Sequence, residues 1–230
     1  MSVEEIVGKI VLPVLKENQC EEYPYSKSGS GMRIFHKGTH FFVTAEHVVA
    51  DKVQENTSIS RPPEEILVPA NNASREFIPL TEKINVDSQN DSFDNDIAFF
   101  KIQETSSSNA SVKSERIDCN VKPGDELLVF GYPCQKNVVD CDEKKITRFI
   151  KAYTAHFTAR TNLCHSRISV NLEDGETLDG VSGGAVFIKS NMKLCGMMLS
   201  EDPNRTGLAE IYNADVIYKI MDNIIAEGKV

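Results

Sequence analysis

The chain has 230 residues, 40% hydrophobic and 26% charged, an ordinary globular balance that excludes a disordered or fibrous protein. Its formal net charge of −9 repels a phosphate backbone, so no nucleic-acid partner is expected; the densest basic cluster, Lys144, Lys145 and Arg148, reads as a solvated face. No apolar run reaches the ~18 residues of a membrane span, and Met-Ser-Val-Glu-Glu-Ile lacks the basic start of an export signal, which predicts no membrane partner and a cytoplasmic location.

Taken in chain order, Val3, Ile6, Val7, Ile10 and Val14 recur at helical spacing and predict a helix from Ser2 to about Lys16, with Ser2 and Glu5 as a capping box and Pro13 weakening its last turn. From Gly31 the pattern changes to short strands. Met32 to Phe35 and His40 to Thr44 flank a His36-Lys37-Gly38-Thr39 turn and predict a hairpin. Further strands are expected at Glu65–Pro69, Ile97–Ile102, Glu126–Tyr132, Ile146–Ala159, Arg167–Leu172, Ala185–Lys189 and Leu194–Leu199, separated by Gly, Pro, Asn and Asp. Glu104 to Glu115 is polar and without period, a connection between an N-terminal and a C-terminal set of strands. Val216, Ile217, Ile220, Ile224 and Ile225 predict a closing helix over Ala214–Glu227. Many short strands with such breaks make the fold class all-β, a sandwich or barrels.

The six cysteines are Cys20, Cys119, Cys134, Cys141, Cys164 and Cys195. Without an export signal they read as reduced thiols. Zinc on Cys134, Cys141, Cys164 and His165 is disfavoured because the spacing has no paired C-x-x-C element, and no metal or other cofactor is expected.

Local patterns carry the chemistry. Phe41-Phe42-Val43-Thr44-Ala45-Glu46-His47 runs an apolar strand into a histidine, a rigid mounting for a general base that works at neutral pH. Asp94-Asn95-Asp96-Ile97-Ala98-Phe99-Phe100 places Asp96 at the mouth of an apolar strand, where a carboxylate can hold an imidazole tautomer; Asp94 competes for that role. Asp179-Gly180-Val181-Ser182-Gly183-Gly184 surrounds a serine with glycines, which lets the backbone turn sharply and aim N–H groups at a developing oxyanion.

These segments, in the order His, Asp, Ser, resemble the catalytic signatures of chymotrypsin-like (trypsin-fold) serine proteases, and Phe130-Gly131-Tyr132-Pro133 resembles a strand ending of bacterial members. The resemblance covers about Gly29 to Ala214. It implies two antiparallel six-stranded β-barrels in a single peptidase domain over 1–230: an N-terminal helical segment at 1–28, a first barrel at 29–103, a linker at 104–115, a second barrel at 116–213 and a C-terminal helix at 214–230. It also implies Ser182 as nucleophile, His47 as base and then acid, Asp96 as orienter, and the N–H groups of Gly180 and Ser182 as oxyanion hole. The substrate would be a protein or peptide, with a regulatory protein partner conceivable.

Departures from the family pattern concern activation. Val181 stands where digestive members carry an aspartate for a new N-terminal ammonium, and Val48 stands in place of a disulfide-forming cysteine; both fit an intracellular branch. For the acyl-side pocket, Glu176 would favour a basic side chain, whereas Met197, Met198 and Leu199 would favour an apolar one. Gly180-Val181-Ser182-Gly183-Gly184 also fits the G-x-S-x-G elbow of α/β-hydrolases, but that fold needs a histidine after the serine and none follows Ser182. The other alternative is a protease-like binding module without turnover.

Overall fold

The computed structural model describes residues 2–18, 20–22, 24–54, 57–70, 77–86, 96–102, 110–113, 118, 120–136, 139–140, 145–146 and 149–230. The first half runs α1 (Val3–Val7), β1 (Val11–Glu17), β2 (Tyr25–His36), β3 (Thr39–Thr44), α2 (Glu46–Val49), β4 (Ala50–Gln54), β5 (Thr57–Ser60), β6 (Ile66–Pro69), β7 (Phe77–Ile78), β8 (Leu80–Ile84), β9 (Ala98–Ile102) and β10 (Val112–Lys113). The second half runs β11 (Glu126–Gly131), β12 (Val139–Asp140), β13 (Lys145–Ile146), β14 (Lys151–Arg160), β15 (His165–Val170), β16 (Ala185–Ile188), β17 (Lys193–Glu201), β18 (Leu208–Asn213) and α3 (Ala214–Ala226).

Strands β11-β14-β15-β18-β17-β16 close a six-stranded barrel. Leu127, Val129, Ile168, Val186 and Met198 fill it, each removed from solvent. The other half, expected as the first barrel, is built differently. Its 8-stranded sheet runs β7-β6-β1-β2-β3-β9-β8, with β10 parallel to β2, and among the described residues no ladder closes it. The end strands β7 and β8 are neighbours in the chain, joined through Pro79, which has no amide to donate. The sheet therefore curls round to a covalent corner rather than a hydrogen-bonded seam. The β2–β3 hairpin turns at Lys37 and Gly38, with φ of 46° and 85°, the backbone of a two-residue turn whose twist matches its strands.

The N-terminal helix is shorter than predicted. The Ser2–Glu5 capping box is present, but Gly8 ends the helix by donating to Glu4 O at 2.7 Å. The next segment, β1, is a strand where helix was expected. Val11, Leu12, Pro13, Val14 and Leu15 are all buried, which an amphipathic helix with one apolar stripe cannot achieve but an inner strand can. Pro13 pairs in register with Ser30, and the β1–β2 register slips just beyond it, between Val14 and Leu15. The predicted linker is also more ordered at its end than composition suggests: Val112 is buried where β10 joins β2.

Candidate active site

The first side-chain pair of the site is set by register. Strands β3 and β9 are antiparallel, with Val43 opposite Phe99 and Thr44 opposite Ala98. Phe41, Phe42, Phe99 and Phe100 are fully buried and lock that register. Residues just past the end of β3 therefore face residues just before β9. The chain leaves β3 into α2, so that His47 Nδ1 meets both Asp96 carboxylate oxygens, at 3.0 and 2.9 Å. The backbone N–H of His47 also donates to Asp96 Oδ1 at 3.0 Å. Burial alone would raise the Asp96 carboxyl, but the hydrogen bonds and charge of His47 outweigh it and hold the group below the ordinary carboxylate value. Asp94, the competing carboxylate, lies outside the described residues.

Ser182 sits on the loop between β15 and β16. Gly180 and Gly183 have φ of 83° and 82°, a conformation that a Cβ disfavours. The amides of this loop divide cleanly. Val181 N–H donates to Leu178 O, Gly183 N–H to Met198 O and Gly184 N–H to Val181 O, all within 2.9 Å. Among the described residues, the amides of Gly180 and Ser182 donate to no acceptor. Those are the two that the family resemblance implies as an oxyanion hole. Val181, in place of the digestive aspartate, is fully buried and packs on Gly131, whose imaginary Cβ would lie 2.7 Å from Val181 Cγ1.

The structure brings the loop and the His47 segment together at Gly29. A Cβ there would meet Val48 Cγ2 at 2.7 Å and Ser182 O at 3.0 Å. The Ser182 hydroxyl itself makes no hydrogen bond with a described residue. Its carbonyl does, accepting from Ser30 N–H at 2.8 Å.

Ser30 was not signalled by the catalytic patterns, yet it ties the site together. It is fully buried on β2. Its hydroxyl donates to Gly180 O at 2.8 Å and accepts from Tyr132 N–H at 2.9 Å. Its carbonyl accepts from Thr44 Oγ1 at 2.6 Å, at the end of the strand that leads to His47. One residue of the first sheet thus fixes both the loop of Ser182 and the strand of His47. Its flanking glycines, Gly29 and Gly31, were the available signal, because they mark close backbone approach just as the glycines around Ser182 do.

The candidate pocket residues fall differently. Glu176 is already engaged: it accepts from Lys151, from Lys136 at 3.5 Å and from Glu173 N–H at 3.2 Å. The hydrogen bond from Lys151 is the main reason its carboxyl lies below the usual range. Met197, Met198 and Leu199 are buried on β17, their side chains packed in the interior. Glu201 accepts from Leu178 N–H at 3.3 Å and Gly207 N–H at 2.6 Å and so holds the loop before Ser182 to the end of β17, a role the sequence did not assign it. Among the described residues no group of His, Cys, Asp and Glu could hold a metal ion.

Comparison with known proteins fits this geometry. The family described as a trypsin-like peptidase domain matches residues 29–197. Similar solved structures include an active-form protease of Mycobacterium tuberculosis (15% identity, TM-score 0.60, covering 94% of this chain and 81% of that one). A serine endoprotease of Yersinia pestis is 20% identical with a TM-score of 0.61, over 99% of this chain and 68% of that one. The HtrA-type protease AlgW, solved with a decapeptide, is 14% identical with a TM-score of 0.62, over 99% and 69%. No curated protein sequence matches significantly.

Proposed function

Because the chain belongs to the family of trypsin-like peptidase domains, we propose that it is a serine endopeptidase working through His47, Asp96 and Ser182 and an acyl-enzyme. The observation that carries the reading is the Asp96 carboxylate on His47 Nδ1 at 2.9 Å, beside a glycine-rich serine loop with two unused amides.

In this mechanism Ser182 Oγ attacks the scissile carbonyl while His47 Nε2 takes its proton. Asp96 holds the Nδ1–H tautomer and stabilises the imidazolium. The oxyanion settles between the amides of Gly180 and Ser182, whose strength as donors comes from being fixed before the reaction. His47 then protonates the departing amine, and water repeats the sequence on the acyl-enzyme. The hydrogen bond between Ser182 and His47 forms when substrate fills the cleft.

On the acyl side, the prior claims of Lys151 and Lys136 on Glu176 favour an apolar substrate side chain over a basic one. A peptide series varying only the residue before the scissile bond should prefer Leu or Met. Preference for Lys or Arg, lost in Glu176→Gln, would reverse that assignment.

The nucleophile is tested with a fluorophosphonate and Ser182→Ala. Wild type should be labelled at Ser182, and the variant should lose peptide hydrolysis by ~10⁴-fold or more. An unlabelled wild type without turnover would leave the chain a protease-like binding module.

A further inference from the structure

Among the described residues, three part-buried lysines each hold a carboxylate. Lys16 pairs with Asp51 at 3.2 Å, Lys83 with Glu46 at 2.6 Å, and Lys151 with Glu176. Lys27 on β2 does not. Its Nζ reaches only the Cys134 thiol, at 3.9 Å, and among the described residues it has no carboxylate partner. Yet it is half-buried, and burial pushes its ammonium down to about 8 despite the opposing effect of Cys134. A desolvated charge without a counter-charge costs stability, so the position is poor unless an anion arrives.

The ammonium stands beside the loop of the nucleophile. A Cβ on Gly180 would lie 2.6 Å from Lys27 Nζ and 2.7 Å from Cys134 Sγ. The neighbouring Ser28 hydroxyl donates to Val48 O at 2.5 Å, so this end of β2 is fastened to the segment that carries His47. In the proposed mechanism His47 hands its proton to the departing amine, which puts the leaving half of the substrate on this side of the scissile bond.

We propose that Lys27 is a specificity residue: it receives a carboxylate of the substrate, from an aspartate or glutamate among the first residues after the scissile bond. This inference rests on the assignment of Ser182 and His47 as the reacting groups. Peptides with acidic residues on the departing side are therefore the favoured substrates, and basic ones are repelled at the same spot. A charge-assisted hydrogen bond to a partly desolvated ammonium is strong enough to rank substrates. Sulfur is a weak hydrogen-bond acceptor, so the Cys134 contact at 3.9 Å leaves the ammonium available.

The test uses quenched peptides identical up to the scissile bond, with Glu, Ala or Lys at each of the first positions after it. Wild type should cleave the best acidic peptide on the order of tenfold faster, by kcat/KM, than its alanine counterpart. Lys27→Met should erase that ratio, Lys27→Arg should retain most of it, and Lys27→Glu should invert it in favour of Lys. Each ratio is taken within one variant, so a change in overall activity does not disturb it. An unchanged ratio in Lys27→Met, or no acidic preference in wild type, overturns the proposal. So does an equal fall for all peptides with the ratio intact, since Lys27 would then act on the loop and not on the substrate. Fluorophosphonate labelling of wild-type Ser182 tests the nucleophile separately, because that reagent has no peptide on the departing side.

Discussion

Asp96 accepts both the imidazole Nδ1–H and the backbone N–H of His47, so it fixes the ring and the turn beneath it together. The two contacts make separable demands. Asn in its place keeps a similar shape and a carbonyl for the backbone N–H, but its amide can donate to Nδ1 and favour the wrong tautomer. Asp96→Asn should therefore lower kcat by about 10⁴ with little change in KM, while thermal unfolding moves by only a few degrees. Because the carboxyl lies below its ordinary value, it is ionised at neutral pH and can hold the imidazole there. Turnover within tenfold of wild type would remove Asp96 from the triad and return attention to Asp94.

At the scale of elements, the decisive piece is the loop that carries Ser182, and its glycines are of two kinds. At Gly183, φ is 82° and a Cβ would lie 1.9 Å from Ser30 O and 2.4 Å from Thr44 Oγ1. At Gly38, φ is 85° with nothing within 4 Å. Both alanine variants incur the left-handed backbone cost of ~1–2 kcal/mol, but only Gly183→Ala also forces the loop off the first sheet. Urea denaturation should show Gly183→Ala losing roughly 3 kcal/mol or more and Gly38→Ala only ~1 kcal/mol; equal losses would mean that the loop does not bear on Ser30. The glycines of this loop were legible in the sequence because their spacing around a serine is local information. The same holds for the hairpin at Lys37-Gly38 and for α3, whose signals lie within a few residues. What stayed hidden is what depends on partners far along the chain. Val11 to Leu15 has an apolar pattern that suits one helical face, and only the neighbours β2 and β6 turn it into an inner strand. Strand β18 was missed because Leu208, Glu210 and Tyr212 alternate with residues whose burial is supplied by β15 and β17. Ser30 and Gly180 are 150 positions apart, so their contact has no local trace.

At the scale of the whole molecule, α3 leaves the closed barrel through β18 and ends against the first sheet. Tyr218 packs edge-on to His36 of β2, with ring centroids 5.2 Å apart. One turn on, Asp222 Oδ1 meets His36 Nε2 and Lys37 Nζ, each at 2.6 Å. The helix is thus a strap across the two halves, with an apolar face of Ile217, Ile220, Met221 and Ile224 buried beneath it and Asp222 fastening its far end. The hydrogen bonds from Lys37 and then His36 hold the Asp222 carboxyl below its ordinary value. A carboxyl depressed in the folded state adds stability that is complete above its unfolded pKa, roughly 3.9, and is lost as the pH falls through the lower folded value. The pair is partly open to solvent, so the contribution is about 0.5–1 kcal/mol, or ~1–4 °C in Tm for a chain of this size. Asp222→Asn should lower Tm by that amount at pH 7, and the gap to wild type should close as the pH is taken below ~3.9. The gap at pH 7 should also shrink in high salt. A gap that persists unchanged below pH ~3.9 would mean that the Asp222 side chain fastens the strap through packing and not charge.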